Sequence, residues 1–351
     1  MKYSNVYLEA ISYELGPVVV TSEEIEERLE PLYAQLHVPP GSLEALTGIN
    51  ERRFWEPSHS LSGHAACAAK KALAKSGVPA SALETVVYAG VCRESFEPAT
   101  ACAVAAELGV EGVASVYDVS NACLGVLNGI QEIANQIELG QIRAGIVVSA
   151  ETAREIVDVT IRRMLREATM ESYTGGFATL TGGSGAVAVL VSDGSFGNST
   201  SHRVLGGAQR AAPQHHNLCR WGLTDASTLH PTVPVPQAMY TDAASVLKYG
   251  IPLGKQTWQD FLDQMGWGAE DVDRVICHQV GAAHRDKILR SIGVAPEKDF
   301  STFPYLGNIG TVSLPITAAL ADERGALEPG DRVAFLGIGS GLNCMMLGVE
   351  W

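Results

Sequence analysis

Short apolar runs alternate along this chain with longer stretches in which small and apolar residues recur at helical spacing. The run Leu-Glu-Thr-Val-Val-Tyr-Ala-Gly-Val at 83–91 reads as a buried strand, as do 114–119, 144–149 and 186–191. Residues 64–75 are Ala-rich, carry lysines and stop at Gly77, which predicts a helix with a glycine terminator. Residues 99–108 and 124–139 predict further helices. Such alternation implies βαβ units and a mainly parallel sheet. From 195 to 237 the character changes: Gly, Pro, His and Asn are frequent, with Pro231, Pro234 and Pro236 near the end. This stretch reads as a long connection with some structure of its own. Alternation then resumes, with helices predicted at 258–265, 282–291 and 312–323, and strands at 272–277, 332–338 and 344–349.

The two parts share a cadence. A tight turn at Ser120–Gly125 opens a helix, and a strand centred on Val148 follows Cys123 by 25 positions. Later, Leu306–Gly310 opens a helix, and a strand centred on Phe335 follows Asn308 by 27 positions. Duplication of a βαβαβ unit produces this. The division is then an N-terminal half at 1–194, a connection at 195–237 and a C-terminal half at 238–351.

Composition narrows the classes. The length, 351 residues, is about two domains' worth. The chain is 46% hydrophobic and 18% charged, which is globular, and its net charge is −14. An excess of acid repels phosphate backbones and anionic lipid, so neither nucleic-acid binding nor membrane-surface binding is expected. No apolar run is long enough to span a bilayer, and the first residues carry no signal-peptide core. The seven cysteines are scattered, with no Cys-x-x-Cys pair, so neither a disulfide framework nor a metal site is indicated. A cytoplasmic protein with reduced thiols is expected.

Some positions could carry chemistry. Cys123 follows a strand and sits at a helix start, where unpaired N–H groups and the helix dipole favour thiolate over thiol. The usual fate of a free cysteine is nonetheless to be an inert small hydrophobe. His278 ends the strand at 272–277, at the carboxyl edge where parallel sheets place ligands, although a satisfied buried histidine is commoner. Asn308 lies in Gly-Asn-Ile-Gly, where turn chemistry alone would explain it. Gly337-Ile-Gly-Ser-Gly341 is a further Gly-rich turn, without the Lys and helix of a phosphate loop.

Together these segments are far more specific than any one. Asn-Ala-Cys123-Leu-Gly, Cys-His278-Gln, Gly-Asn308-Ile-Gly and Gly-Ile-Gly-Ser340-Gly resemble the thiolase superfamily. More narrowly they resemble β-ketoacyl-acyl-carrier-protein synthase III, as does Thr47-Gly-Ile-Asn-Glu-Arg52. The resemblance implies an α/β thiolase fold, two duplicated βαβαβ halves in a five-layered αβαβα arrangement. It implies Cys123 as the acylated nucleophile, and His278 and Asn308 as donors to the thioester carbonyl of the second substrate. The backbone N–H groups of Cys123 and Ser340 would form the oxyanion hole. It further implies a homodimer, acyl-CoA or acyl-carrier protein as partner, and no cofactor or metal.

Glu97, in Cys92-Arg-Glu-Ser-Phe-Glu-Pro98, points to one branch: the acyl-CoA head-to-head condensing enzymes of olefin biosynthesis. That branch also resembles the chain at Leu218-Cys-Arg220 and at Gly339–Cys344 with the terminal Trp351. There the glutamate reaches the partner subunit's site as a base. A malonyl donor makes its enolate by losing CO2, whereas a plain acyl thioester must lose an α-proton, so a base is useful. A loop carboxylate without function is the other reading of Glu97. The Trp and Arg that bracket the adenine of coenzyme A in bacterial relatives fall near Ser42 and Leu46, and neither matches. The Arg expected after the catalytic His falls on Ala283, with Arg285 close by as a substrate-binding candidate. Three alternatives stand beside Claisen condensation of two acyl thioesters: a malonyl-dependent synthase, acyl transfer to a hydroxyl or amine, and a non-enzymatic scaffold. The intact Cys, His and Asn argue against the last.

Overall fold

The computed structural model describes residues 1–197, 201–223 and 237–351; Pro231, Pro234 and Pro236 lie outside them. Strand β1 (Tyr7–Leu15) is followed by a small antiparallel pair, β2 (Val18–Thr21) and β3 (Glu51–Phe54). Next come β4 (Thr85–Ala89), β5 (Ser115–Val119), β6 (Ala144–Glu151) and β7 (Gly185–Ser192). Then follow β8 (His202–Ala211) and a second small pair, β9 (Cys219–Leu223) with β10 (Gln237–Thr241). The chain closes with β11 (Arg274–Cys277), β12 (Arg332–Gly339) and β13 (Asn343–Glu350).

Nine of these strands form one hydrogen-bonded sheet in the order β11-β12-β13-β8-β1-β7-β6-β4-β5. Its middle is a thin seam, since β1 and β8 pair only at Tyr7–Arg203 and Leu8–His202. On either side of the seam the topology repeats. β1, β4, β6 and β7 are matched in role by β8, β11, β12 and β13: a parallel pair (β4·β6, β11·β12), then two antiparallel steps inward to the seam. The duplication expected from the cadence is present, in the thiolase fold that the resemblance implies.

Side-chain alternation builds the layers. On β4 and β6, Val87 and Val147 face a central core, while Val86, Tyr88, Ile146 and Val148 face an outer one. In the second half Ile276, Val333 and Phe335 face the same central core, and Val275, Ala334 and Leu336 face a third. The central core is filled by the helices Gly125–Glu138 and Ser313–Glu323. Leu61–Ser76 and Thr100–Leu108 cover one outer face, and Ala243–Met265 and Ala282–Ile292 the other. The result is the αβαβα stack.

Some expectations need correction. The sheet is mixed, not mainly parallel: only β4·β5, β4·β6 and β11·β12 run parallel among its pairings. Each half ends in two antiparallel strands, and helical alternation does not reveal their direction. The stretch 195–237 holds β8, which pairs with β13 along eight residues of β13 and opens the second half. Its Gly206 and Gly207 break the apolar pattern of a strand. The helix predicted at 258–265 is the end of a longer one, Ala243–Met265, capped by the Asp242 side chain and disguised by Pro252. No helix among the described residues is long and apolar enough to cross a membrane.

Packing of the central helix on the sheet is close. A Cβ on Gly129 would lie 2.6 Å from Cγ1 of Val147. In an exposed helix Gly→Ala gains about 1 kcal/mol. Here Gly129→Ala should instead destabilise by about 1–3 kcal/mol through overpacking. Thermal or urea unfolding of the variant checks this, and an unchanged or higher midpoint refutes it.

Candidate active site

The chain leaves β5 at Val119 and turns sharply into the helix Gly125–Glu138. Ala122 takes φ +45°, a left-handed conformation uncommon for residues with a Cβ. Cys123 follows it, half-buried just before the helix. The helix has no side-chain cap from its own flank. Instead Thr311, from the other half, accepts the Val126 N–H at 2.8 Å. Asn343 Nδ2 donates to Asn121 Oδ1 at 2.9 Å, and Asn121 Nδ2 donates to Asn128 Oδ1 at 2.7 Å. A Cβ on Gly339 would lie 3.3 Å from the Cys123 nitrogen, so the β12–β13 turn rests on the main chain of the nucleophile candidate.

The second half supplies two further groups. The His278 N–H bonds Leu336 O at 2.9 Å, extending the β11·β12 pairing by one residue. Gln279 then fixes the following bend: its amide donates to Cys277 O, and its carbonyl accepts from Thr302 and Phe303. His278 is buried, and its Nδ1 has no hydrogen-bond partner among the described residues. Asn308 is pinned to the first half, its N–H on Thr181 O at 2.9 Å and its carbonyl taking the Gly183 N–H at 3.0 Å. Its Oδ1 accepts from Gly310 at 3.1 Å, which leaves the amide NH2 as its free donor.

Cys123, His278, Asn308 and Ser340 line one cavity of about 1030 Å³. That is the upper end of the range for small-molecule sites. Its walls are mostly apolar, with Ile156, Phe177, Met239, Leu247 and Ile338 among them. Such a wall suits an alkyl chain.

Electrostatics correct one expectation. Burial pushes the Cys123 thiol up to about 12, with nearby Cys219 and Glu151 adding to the effect. Its own backbone N–H acts in the opposite direction but is the smallest of these influences. The helix-start effect has the sign anticipated, and desolvation outweighs it. His278 is driven down to about 3 by burial and by His284, and His284 to about 4. Both imidazoles are therefore neutral at physiological pH. The thiol and both imidazoles rest neutral, so the sulfur's proton must leave as it attacks.

Two sequence candidates lie elsewhere. Glu97 is exposed on the loop between β4 and the helix Thr100–Leu108, outside the cavity of its own chain. Arg285 is also outside. Its guanidinium is committed to Asp299 at 2.6 Å, Pro296 O at 2.8 Å and Asp286 at 3.3 Å. These bonds tether the 296–299 turn. Conversely, Glu151, Cys219, Arg220 and His284 line the cavity. The apolar pattern of the strand ends at Ser149 and so hides Glu151, for which a carboxylate closing a strand at the ligand edge is the signal in the sequence.

Similarity to known proteins gives the family. The family model described as 3-oxoacyl-[acyl-carrier-protein] synthase III matches residues 117–209, and that of its C-terminal part matches 262–351. The chain belongs to the 3-oxoacyl-[acyl-carrier-protein] synthase III family of thiolase-fold condensing enzymes. Within it, the chain is 56% identical to an acyl-CoA:acyl-CoA alkyltransferase of Shewanella oneidensis over the full length of both. It is 35% identical, again over both full lengths, to the enzyme of that name from Xanthomonas campestris. A solved Cys-to-Ser variant of Xanthomonas campestris OleA, with bound lauric acid and lauroyl-CoA, superposes with TM-score 0.92 at 34% identity. That match covers 99% of this chain and 100% of the other.

Two measurements test the electrostatics. Alkylation of Cys123 by iodoacetamide, mapped by mass, should rise with pH through 10 without a plateau, lagging the exposed Cys67 and Cys102. A plateau below pH 8 contradicts a buried neutral thiol. Acid should also destabilise the fold. His202, stacked on Trp351 at 3.7 Å, is lowered by burial to about 4, in company with His278 and His284. Unfolded histidines bind protons below about 6.5 while these folded ones do not, so stability is full above that pH and falls as pH drops below it. The melting temperature should decline from pH 7 to 5, and His202→Phe, which keeps an aromatic stack, should flatten part of the slope. An equal slope in the variant refutes the assignment.

Proposed function

We propose that the protein joins two acyl-CoA molecules in a non-decarboxylative Claisen condensation. What carries the reading is that Cys123, His278 and Asn308, from two halves of the fold, line one large apolar cavity. In the first step Cys123 Sγ attacks the thioester carbonyl of one acyl-CoA, and coenzyme A leaves as the thiol. The N–H groups of Cys123 and Ser340 serve the oxyanion. In the second step an α-proton is removed from another acyl-CoA, and His278 and Asn308 donate to the enolate oxygen. The neutral state of His278 and the free NH2 of Asn308 support this donor role. The α-carbon attacks acyl-Cys123, the C–S bond breaks, and a β-ketoacyl-CoA and a free thiol result. One coenzyme A is released per product, and the side chains suffice without a cofactor.

Glu97 is the proposed base, delivered to the cavity of a second copy in a homodimer. Its exposure, and that of Phe96 beside it at 88%, support a loop that inserts into a partner. The lauroyl-CoA held by the Xanthomonas relative favours coenzyme A over a carrier protein, and long saturated chains. Seven unpaired cysteines favour the cytoplasm.

Product analysis separates this from the malonyl-dependent reaction. Lauroyl-CoA alone should give a β-ketoacyl product, with no gain from malonyl-ACP. Glu97→Gln should still form lauroyl-Cys123 but condense at least about 100-fold more slowly, as for loss of a general base. Product arising only with malonyl-ACP, or Glu97→Gln condensing at the wild-type rate, overturns the reading.

A further inference from the structure

Among the described residues Glu151 is the one carboxylate in the cavity wall, yet no step above uses it. It closes β6, is only 4% exposed, and burial raises its pKa. Its two oxygens are separately engaged: Oε1 accepts the Val91 N–H at 2.9 Å, and Oε2 the Cys92 N–H at 3.1 Å. Around the same corner, the Tyr88 hydroxyl reaches Cys92 O and Ala150 O, each at 2.8 Å. The Thr152 N–H reaches Cys92 Sγ at 3.5 Å. On its other side Glu151 meets the asparagine turn, since a Cβ on Gly310 would lie 3.3 Å from Glu151 Cγ.

Residues 91–101 are held at three points, each by a carboxylate. Glu151 holds Val91 and Cys92. Glu94 takes the hydroxyls of Ser60 and Ser62, both at 2.7 Å. Asp118 takes the N–H groups of Thr100 and Ala101, both at 2.9 Å. Between the last two anchors lie Ser95, Phe96 and Glu97. Glu94 ties the loop to the start of the helix Leu61–Ser76 and Asp118 ties its end to β5, whereas Glu151 ties it to the cavity wall beside the Asn308 turn.

We propose that Glu151 is a positioning residue: its carboxylate fixes the Val91–Cys92 corner to the cavity wall and thereby sets where the Glu97 loop leaves the fold. This rests on the reading of Glu97 as the base. A carboxylate is suited to the task because two N–H donors face it and each oxygen accepts one. Glutamine offers one carbonyl and turns an NH2 toward the other N–H, so Glu151→Gln loosens the corner at nearly constant volume.

The test compares Glu151→Gln, Glu97→Gln and the double variant. Glu151→Gln should still acylate Cys123, while condensation of lauroyl-CoA falls at least about tenfold; the double variant should lose no more than Glu97→Gln alone, as for residues acting through one group. Amide exchange in the 91–97 segment of Glu151→Gln should quicken by about tenfold or more, reporting the loosened corner directly. Wild-type exchange, or losses that multiply in the double variant, overturns the proposal. If Glu97→Gln condenses normally, the base assignment fails, and exchange alone then decides whether Glu151 holds the corner. Should Glu151→Gln not fold, Tyr88→Phe removes the neighbouring hydroxyl bridge and should give the same pattern more weakly. Normal exchange and condensation in that variant overturn the proposal.

Discussion

The structure depends on the burial of one helix, Gly125–Glu138, between two half-sheets. Val126, Ile130 and Ile133 on it are packed into the central core with Val147 from one half and Phe335 and Leu347 from the other. A helix enclosed in this way cannot satisfy its first N–H groups with solvent. It takes Thr311 from the opposite half for Val126, and the turn before it takes Asn343. The bonds that complete the helix start therefore also lock the two halves together. Whatever stands at that helix start is placed at their junction, and the residue standing there is Cys123.

The same burial sets the electrostatic character of the site. A thiol at an exposed helix start would be acidic, but here desolvation dominates and the resting sulfur is protonated. The imidazoles are neutral for the same reason. Neutral donors in a mostly apolar cavity stabilise an oxyanion or enolate more than water would, because they are already oriented when charge appears. The low dielectric that makes the thiol a poor nucleophile at rest makes the donors strong when the carbonyl oxygen takes up charge.

What the sequence made legible follows from what is local. Strand and helix positions came from periodicity, and the repeat was visible because both halves preserve a turn, a helix and a strand. Cys123, His278 and Asn308 were recognisable because each ends a strand or opens a helix within a short motif. Strand direction was not legible, since antiparallel return depends on partners far away along the chain. Neither was β8, whose Gly206 and Gly207 accommodate close backbone neighbours, Met1 and Met346, and so read as loop. The tether role of Arg285 was not legible, because its partners, Asp299 and Pro296, lie in a turn that spacing does not reveal. The sign of the Cys123 shift was misjudged because the helix start is visible in sequence and its burial is not.

The position of Glu97 outside its own cavity has a mechanistic logic. A carboxylate placed permanently beside Cys123 would raise the thiol pKa further, as buried Glu151 already does, and would oppose acylation. Burial raises the Glu151 pKa on balance, but both its oxygens are already engaged by main-chain N–H donors, which fix the side chain in the wall. A base carried on a loop avoids this conflict. It can be brought close by a neighbouring copy without being part of the wall against which the thiol must ionise. On the proposed reading, the fold separates two carboxylates by role, one buried and fixed by main-chain donors, the other exposed on a loop that engages the substrate of a second copy.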